Sequence, residues 1–170
     1  GMFLVELLSK AGASIIVADP HDESVRTAAA EYGAQGVGLD QIYDVPCDIF
    51  SPCAVGQTVN AETLKRLSCS IIAGAANNQL PDNSVYGMIA EKKILYCPDF
   101  AINSGGVISV SVELAKGSPD TVWIREKVKE IYDTTSKVLE QSKARGRFTE
   151  EVAVELAKER LAAAKSRAKP

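Results

Sequence analysis

Several features are missing from this 170-residue chain, and each absence narrows what the chain does. It has four cysteines (Cys47, Cys53, Cys69 and Cys97), no C-x-x-C pair and a single histidine, His21. The spacing of a zinc site is therefore missing. The cysteines read as free thiols of a reducing cytoplasm, three of them within or beside apolar strands. Basic residues do not outnumber acidic ones: 19 Lys and Arg stand against 22 Asp and Glu, a net charge of −3. That balance gives no electrostatic basis for binding nucleic acid, and the alanine-interleaved "AKSRAKP" reads as a solvated helix end. No apolar run reaches membrane-spanning length. The opening "GMFLVELLSKAG" has neither the basic flank nor the small-residue cleavage site of an export signal. No repeat, linker or low-complexity tract interrupts the chain. Also absent is G-x-G-x-x-G, the glycine turn that cradles a dinucleotide pyrophosphate.

What is present is a globular composition, 46% hydrophobic and 24% charged, long enough for one domain with a full core. Residues 3–11 predict a helix stopped by Gly12, and the apolar run 13–19 ("ASIIVAD") a buried strand. Residues 22–32 predict a helix capped by Asp22 and ended by Gly33, followed by a short edge strand over 33–37. Further strands are expected at 47–51, 70–76 and 94–97, with helices at 61–67 and 84–92 between them. Short strands alternating with helices predict an α/β fold, a doubly wound parallel sheet covered on both faces. From about residue 103 the pattern is helical: 105–117, 119–145 and 149–167, the last two joined by "RGRF". The expected organisation is a sheet domain over 1–118, with helices over 119–170 packing on it.

In a sheet of this kind, ligands gather beyond the C-terminal ends of the strands. Every unusual polar cluster in the first 110 residues falls at such an end. Strand 13–19 closes on Asp19, strand 47–51 runs into "SPCA" with Cys53 and Ala54, and strand 94–97 runs into "PDFAINSGG". Strand 70–76 ends in three adjacent carboxamides, Asn77, Asn78 and Gln79. Three neutral hydrogen-bonding groups in a row suit a ligand carrying hydroxyls or a carboxylate; the alternative is an Asx-turn with its amides in water. In dinucleotide-binding folds an acid closing such a strand, some 20 residues after the glycine turn, takes both ribose hydroxyls of the adenosine, and a carboxylate there favours NAD and repels the additional phosphate of NADP. The alternative role for Asp19, a cap for helix 22–32, is already served by Asp22. His21 reads as exposed, with stacking on adenine as its alternative. Gly1 stands 18 residues before Asp19, where the last small residue of a glycine turn belongs. The expectation is a chain that begins just after that turn, although Gly1-Met2 also matches the scar of a removed tag.

The stretches "CDIFSPCAVGQTVNAETL", "IIAGAANNQL", "ILYCPDFAINSGGVISVSVEL" and "AVELAKERL" together resemble the leucine, phenylalanine and valine dehydrogenases, the amino-acid dehydrogenase family that includes glutamate dehydrogenase. Order and spacing agree over nearly the whole chain, and the match is to the family's C-terminal, cofactor-binding half. The resemblance implies a Rossmann-like doubly wound sheet lacking its first strand and glycine turn. It implies that Asn78 contacts substrate with Asn77 beside it, and that Asn103 lies near the nicotinamide amide. It implies that Cys53 and Ala54 run along the adenosine ribose and the cofactor backbone, and that Gly105 and Gly106 let the main chain pass close to the ring. Val107 and Val110 match positions lining the substrate side-chain pocket, and glutamate dehydrogenases carry a hydroxyl where Val110 stands. The other reading of these valines is simple core packing. A nucleophilic Cys53 has no histidine nearby in sequence, and the family uses no thiol.

The family's catalytic lysine pair and aspartate belong to a substrate-binding domain not found in these residues, so no catalytic residue is assigned. Lys92, Lys93 and Lys116 occupy helix-like exposed contexts and match none of the catalytic positions. The implied activity is NAD-dependent oxidative deamination of an aliphatic or aromatic L-amino acid to its 2-oxo acid, with this piece inactive alone. The alternative is a non-catalytic oligomerising or regulatory remnant of the same fold. Strands 13–19 and 47–51 are expected to flank the place of the absent strand. Exposed edges of that kind favour a homo-oligomer.

Overall fold

The computed structural model describes residues 1–118 and 120–167. Helix α1 (Met2–Lys10) leads into strand β1 (Ile16–Val17), and α2 (Asp22–Tyr32) into β2 (Gln35–Gly36). Strand β3 (Ile49–Phe50), α3 (Ala61–Arg66), β4 (Ile71–Ile72), α4 (Tyr86–Glu91) and β5 (Leu95–Tyr96) continue the alternation. Then come only helices: the short α5 (Asp99–Ile102), α6 (Gly105–Lys116), α7 (Thr121–Arg145) and α8 (Thr149–Arg167). Pro119, residues 168–170 and the side chains of Ala115, Lys116 and Arg167 lie outside the described residues.

All strand pairs are parallel, as the alternation with helices predicts. The single sheet expected from sequence is, however, two: β1–β2, and β3–β4–β5. Strands β1 and β3, expected to flank a gap, do not pair with each other. The strands are also shorter than predicted, because the regular ladder is only two residues deep. Hydrogen bonds continue past those limits: Gln35 N–H donates to Ile15 O (2.9 Å), Ala73 N–H to Phe50 O (3.1 Å) and Cys97 N–H to Ile72 O (2.9 Å). Pro52 and Pro98, which have no N–H to give, stand just beyond β3 and β5. Nor is the sheet covered on both faces throughout. Ile49 is 50% exposed, and α1 buries none of its residues although six of the nine are apolar.

The main core joins Phe50, Ile72 and Tyr96 of the three-stranded sheet to Leu64 and Leu67 at α3, Val85 and Ile89 at α4, and Val59 and Leu80 from the loops. Each such side chain contributes about 1.5–3 kcal/mol through burial. A second cluster, Val138, Val152, Ala153 and Leu156, holds α7 to α8. The α7–α8 turn fastens this hairpin to the sheet. Phe148 stacks on Tyr86 (4.0 Å between centroids) and faces Tyr96 (5.8 Å), and Thr149 Oγ1–H donates to Tyr96 O (2.7 Å).

One end of α2 follows the sequence reading and the other departs from it. Gly33 ends α2 in the left-handed region (φ 68°), as expected of a glycine C-cap. Asp22, however, lies inside the first turn of α2. The cap position is held by His21, whose side chain makes no capping bond. Helix α3 has a full capping box: the Asn60 side chain accepts from Glu62 N–H and Thr63 N–H, and Thr63 Oγ1 accepts from Asn60 N–H. All four cysteines are free, and burial pushes the thiols of Cys47, Cys69 and Cys97 up. Among the described residues no helix is long and apolar enough to cross a membrane.

Candidate functional site

Parallel strands deliver their exits to one end of a sheet, and here those exits carry the polar residues. The loop after β3 and the loop after β4 lie against each other. Gln57 N–H donates to Asn78 O (2.7 Å) and Val59 N–H to Gln79 O (3.1 Å). Asn78 holds a left-handed backbone (φ 51°), which asparagine tolerates better than most residues. Two glycines make the approach possible. A Cβ on Gly56 would stand 2.8 Å from both Asn77 O and Asn78 O, and one on Gly74 would stand 2.1 Å from Pro52 O.

The carboxamides at the end of β4 divide into two kinds. Asn77 and Asn78 are exposed. Gln79 is fully buried, donating from Nε2 to Gly74 O (2.8 Å) and Ala76 O (3.0 Å). Its main-chain N–H reaches Asp99 Oδ2 (2.7 Å), a carboxylate that is itself buried. From the exit of β5, by way of α5, Asn103 Nδ2 donates to Asn77 Oδ1 (2.7 Å) and approaches Ala75 O and Ala76 O (3.3 Å each). Asn77 and Asn103, 26 residues apart, thus touch. The structural roles of Gln79 and Asp99 were missed in the sequence. The signal was present in the third carboxamide of the run, and only burial separates it from the other two.

Cys53 and Ala54 leave β3 beside the start of the chain: a Cβ built on Gly1 would lie 3.6 Å from Cys53 Cβ. The Cys53 Sγ has one polar neighbour, Ser51 Oγ at 3.7 Å. Asp19 sits at the exit of β1, in the other sheet. Its Oδ1 accepts His21 N–H (2.9 Å), while Oδ2 has no protein partner among the described residues. A cleft of about 340 Å³ opens beside it, with Pro20, Val25, Val37 and Leu39 as apolar walls and Arg26 at its border.

Val107 and Val110 stand on α6, 74% and 55% exposed, with Leu114 on the same side at 83%. They are not core valines of this chain. Gly105 and Gly106 open α6, and space around Gly106 is free: a Cβ there would meet nothing within 4 Å. Of the lysines considered, Lys92 donates to Lys65 O (3.4 Å) and Leu67 O (3.0 Å), tying off the end of α3. Lys93 is exposed just past α4 with φ 56°. A larger cleft of about 440 Å³ lies between α4 and α8, lined by Tyr86, Arg147, Glu150 and Lys158 among others. The Arg147 guanidinium there is already paired with Glu151 and Glu155.

A family model for glutamate/leucine/phenylalanine/valine dehydrogenase matches residues 7–168. The leucine dehydrogenase of Bacillus cereus is 45% identical over 163 residues, which make up 96% of this chain and 44% of that protein. The crystal structure of L-tryptophan dehydrogenase from Nostoc punctiforme superposes with a TM-score of 0.91 at 36% identity, covering 98% of this chain and 49% of the other. The hetero-hexameric glutamate dehydrogenase from Thermus thermophilus shares the fold, with a TM-score of 0.63 at 16% identity over 99% of this chain and 52% of that one. The chain spans less than half the length of the curated relatives it matches.

Proposed function

Because the chain belongs to the glutamate/leucine/phenylalanine/valine dehydrogenase family, we propose that it is the cofactor-binding part of an NAD-dependent amino-acid dehydrogenase acting on an aliphatic or aromatic L-amino acid in the cytoplasm. One observation carries the reading. Asp19, Cys53, Ala54, Asn77, Asn78 and Asn103 come from four separate strand exits, all at the C-terminal ends of parallel strands, where α/β sheets bind nucleotides.

The residues fit such a cofactor. Asp19 has a carboxylate oxygen with no protein partner among the described residues, beside an apolar-walled cleft, the chemistry of a ribose next to a flat base. Its negative charge disfavours a phosphate on that ribose, hence NAD over NADP. Cys53 and Ala54 line the path between the two riboses. Asn77, Asn78 and Asn103 offer uncharged donors and acceptors at the nicotinamide end, and the open space at Gly106 leaves room for a ring close to the main chain. NAD, when bound, supplies a hydride acceptor for the α-carbon of the amino acid, whose imino product water converts to a 2-oxo acid and ammonia. The part of this chain is to bind and orient. Val107 and Val110 give the substrate side chain an apolar wall, against which an unpaired carboxylate would be costly to desolvate.

We read the fold as a Rossmann-like sheet whose halves, β1–β2 and β3–β5, stand on either side of an unfilled central strand position. Residues 1–118 form the cofactor domain, with 119–170 as helices packing on it. The unpaired edges of β1 and β3, and the exposed Phe3 and Leu7 of α1, support a homo-oligomer or a longer polypeptide that covers them. The same surfaces favour the second reading, an oligomerising or regulatory protein without chemistry. Activity assays on a polypeptide extended upstream of Met2 by its in-frame genomic sequence decide between them. Reduction of NAD by leucine, valine or phenylalanine supports the dehydrogenase, and a stop codon directly upstream supports the alternative.

A further inference from the structure

Gln79 and Asp99 are the two buried polar residues at the strand exits, and both direct their bonds inward. Asp99 grips both sides of the site. Its Oδ2 accepts Gln79 N–H (2.7 Å), and its main-chain carbonyl accepts Asn103 N–H (2.9 Å). Gln79 Nε2 holds the carbonyls of Gly74 and Ala76. The Ala76 carbonyl is shared, for it also faces Asn103 Nδ2, as does Ala75 O. Two carbonyls against one end of the Asn103 carboxamide decide which way it faces, since an oxygen there would meet lone pairs. Nδ2 must point inward, and the atom it meets on Asn77 must then be the acceptor, Oδ1. Within this pair, what remains without a protein partner among the described residues is one donor, Asn77 Nδ2, and one acceptor, Asn103 Oδ1.

Gln79 fills this role at a cost. Its Oε1 is buried with no hydrogen-bond partner. An apolar side chain of the same size would remove that buried oxygen but would also take the Nε2 donor from the carbonyls of Gly74 and Ala76. What glutamine does here that an apolar residue cannot is hold the Gly74 and Ala76 carbonyls, the second of which also faces Asn103 Nδ2.

We propose that Gln79 and Asp99 are positioning residues of this site: they fix the orientation of the Asn77–Asn103 pair, so that it presents a donor beside an acceptor, the edge that complements a primary carboxamide. The proposal rests on the reading that the site takes NAD. NMR of the ¹⁵N-labelled chain tests it, with the side-chain amide signals of Asn77 and Asn103 followed during titration with NAD. In the wild type both signals stand apart from that of exposed Asn83, and NAD moves them together with main-chain signals near Asp19. In Gln79→Met, with core amides such as those of Ile72 and Ile89 unmoved, both side-chain signals shift to the position of a solvated carboxamide. The NAD response at Asn77 weakens at least tenfold, while that near Asp19 is kept. Asp99→Asn gives the same split between the two ends. A folded Gln79→Met or Asp99→Asn variant with unchanged Asn77 and Asn103 signals and an unchanged NAD response overturns the proposal. If Gln79→Met does not fold, the wild type still decides: Asn103 Nδ2 protons exchanging with solvent as fast as those of Asn83 overturn it. A wild type that shows the fixed side-chain signals but no NAD response at either end overturns the cofactor reading instead.

Discussion

At the scale of single residues, the site is set by what fits between loops. Gly74 faces the main chain of Pro52 so closely that a methyl group would overlap both its oxygen (2.1 Å) and its nitrogen (2.5 Å). Gly74→Ala must push the exits of β3 and β4 apart, at about 1–3 kcal/mol by the usual cost of overpacking. Urea unfolding of the variant checks this. Gly106 makes the contrast. Nothing lies within 4 Å of a Cβ there, so Gly106→Ala should fold as stably as the wild type or more so, alanine being the better helix former. If the open space is where the nicotinamide ring approaches, the same variant binds NAD more weakly. Calorimetry and a thermal melt on one preparation separate the two effects.

Arg66 is a residue-scale clamp with a pH signature. Its guanidinium donates from Nη1 to Asp40 (2.7 Å) and from Nε and Nη2 to Asp44 (2.8 and 2.7 Å), and these bonds hold both carboxyls below their ordinary range. A carboxyl whose pKa is depressed by folding adds stability above its unfolded value, near 4, and loses that contribution as pH falls through the folded value. Arg66→Met should therefore melt below the wild type at neutral pH. The difference should shrink as pH drops below the ordinary carboxylate range, as parallel melts at several pH values would show.

At the scale of elements, the capping box of α3 and the exposed stripe of α6 each make a claim. Asn60→Ala removes both side-chain bonds to the first turn of α3, together with the Nδ2 bond to Gln57 O, and should cost about 1 kcal/mol in chemical denaturation. On α6, Val107 and Val110 look away from the core of this chain. A longer, active form of the enzyme should turn over leucine, valine or phenylalanine faster than glutamate, and Val110→Ser should narrow that preference. Faster turnover of glutamate by the unsubstituted enzyme would remove both valines from the pocket.

Element order was readable from the sequence because apolar runs such as "ASIIVAD" and "SIIAGAA" alternate with helix-period stretches. Family membership was readable because "AGAANNQ" and "AINSGG" are long motifs with fixed spacing. Strand length was not readable: apolar β-branched residues show where a strand can form, while the number of ladder residues is set by how far parallel partners stay side by side, and even β4, with a neighbour on each side, has two. The cap of α2 was misread as Asp22 because acids serve equally at a cap and within a first turn. The short α5 was missed because four residues carry no periodicity. Within "NNQ", sequence set the residue types side by side, but their division into two exposed carboxamides and one buried one is a property of packing.

At the scale of the whole molecule, each of two small parallel sheets carries polar residues at its strand exits, α1 buries none of its residues, and β1 and β3 each pair on one side only among the described residues. The 170-residue chain by itself is expected to oxidise no amino acid, and an assay of NAD reduction with leucine, valine and phenylalanine checks this. Light scattering should find it associated, and a well-behaved monomer would count against the unpaired edges as adhesive surfaces. The central claim is that the strand exits form an NAD site, and titration of the labelled chain with NAD by NMR tests it most directly. Shifts are expected at Asp19, Cys53, Ala54, Asn77, Asn78 and Asn103 and their loops alone, with a dissociation constant weaker than micromolar. An absence of shifts at these residues, or shifts centred on the Tyr86–Arg147 cleft, would contradict the claim.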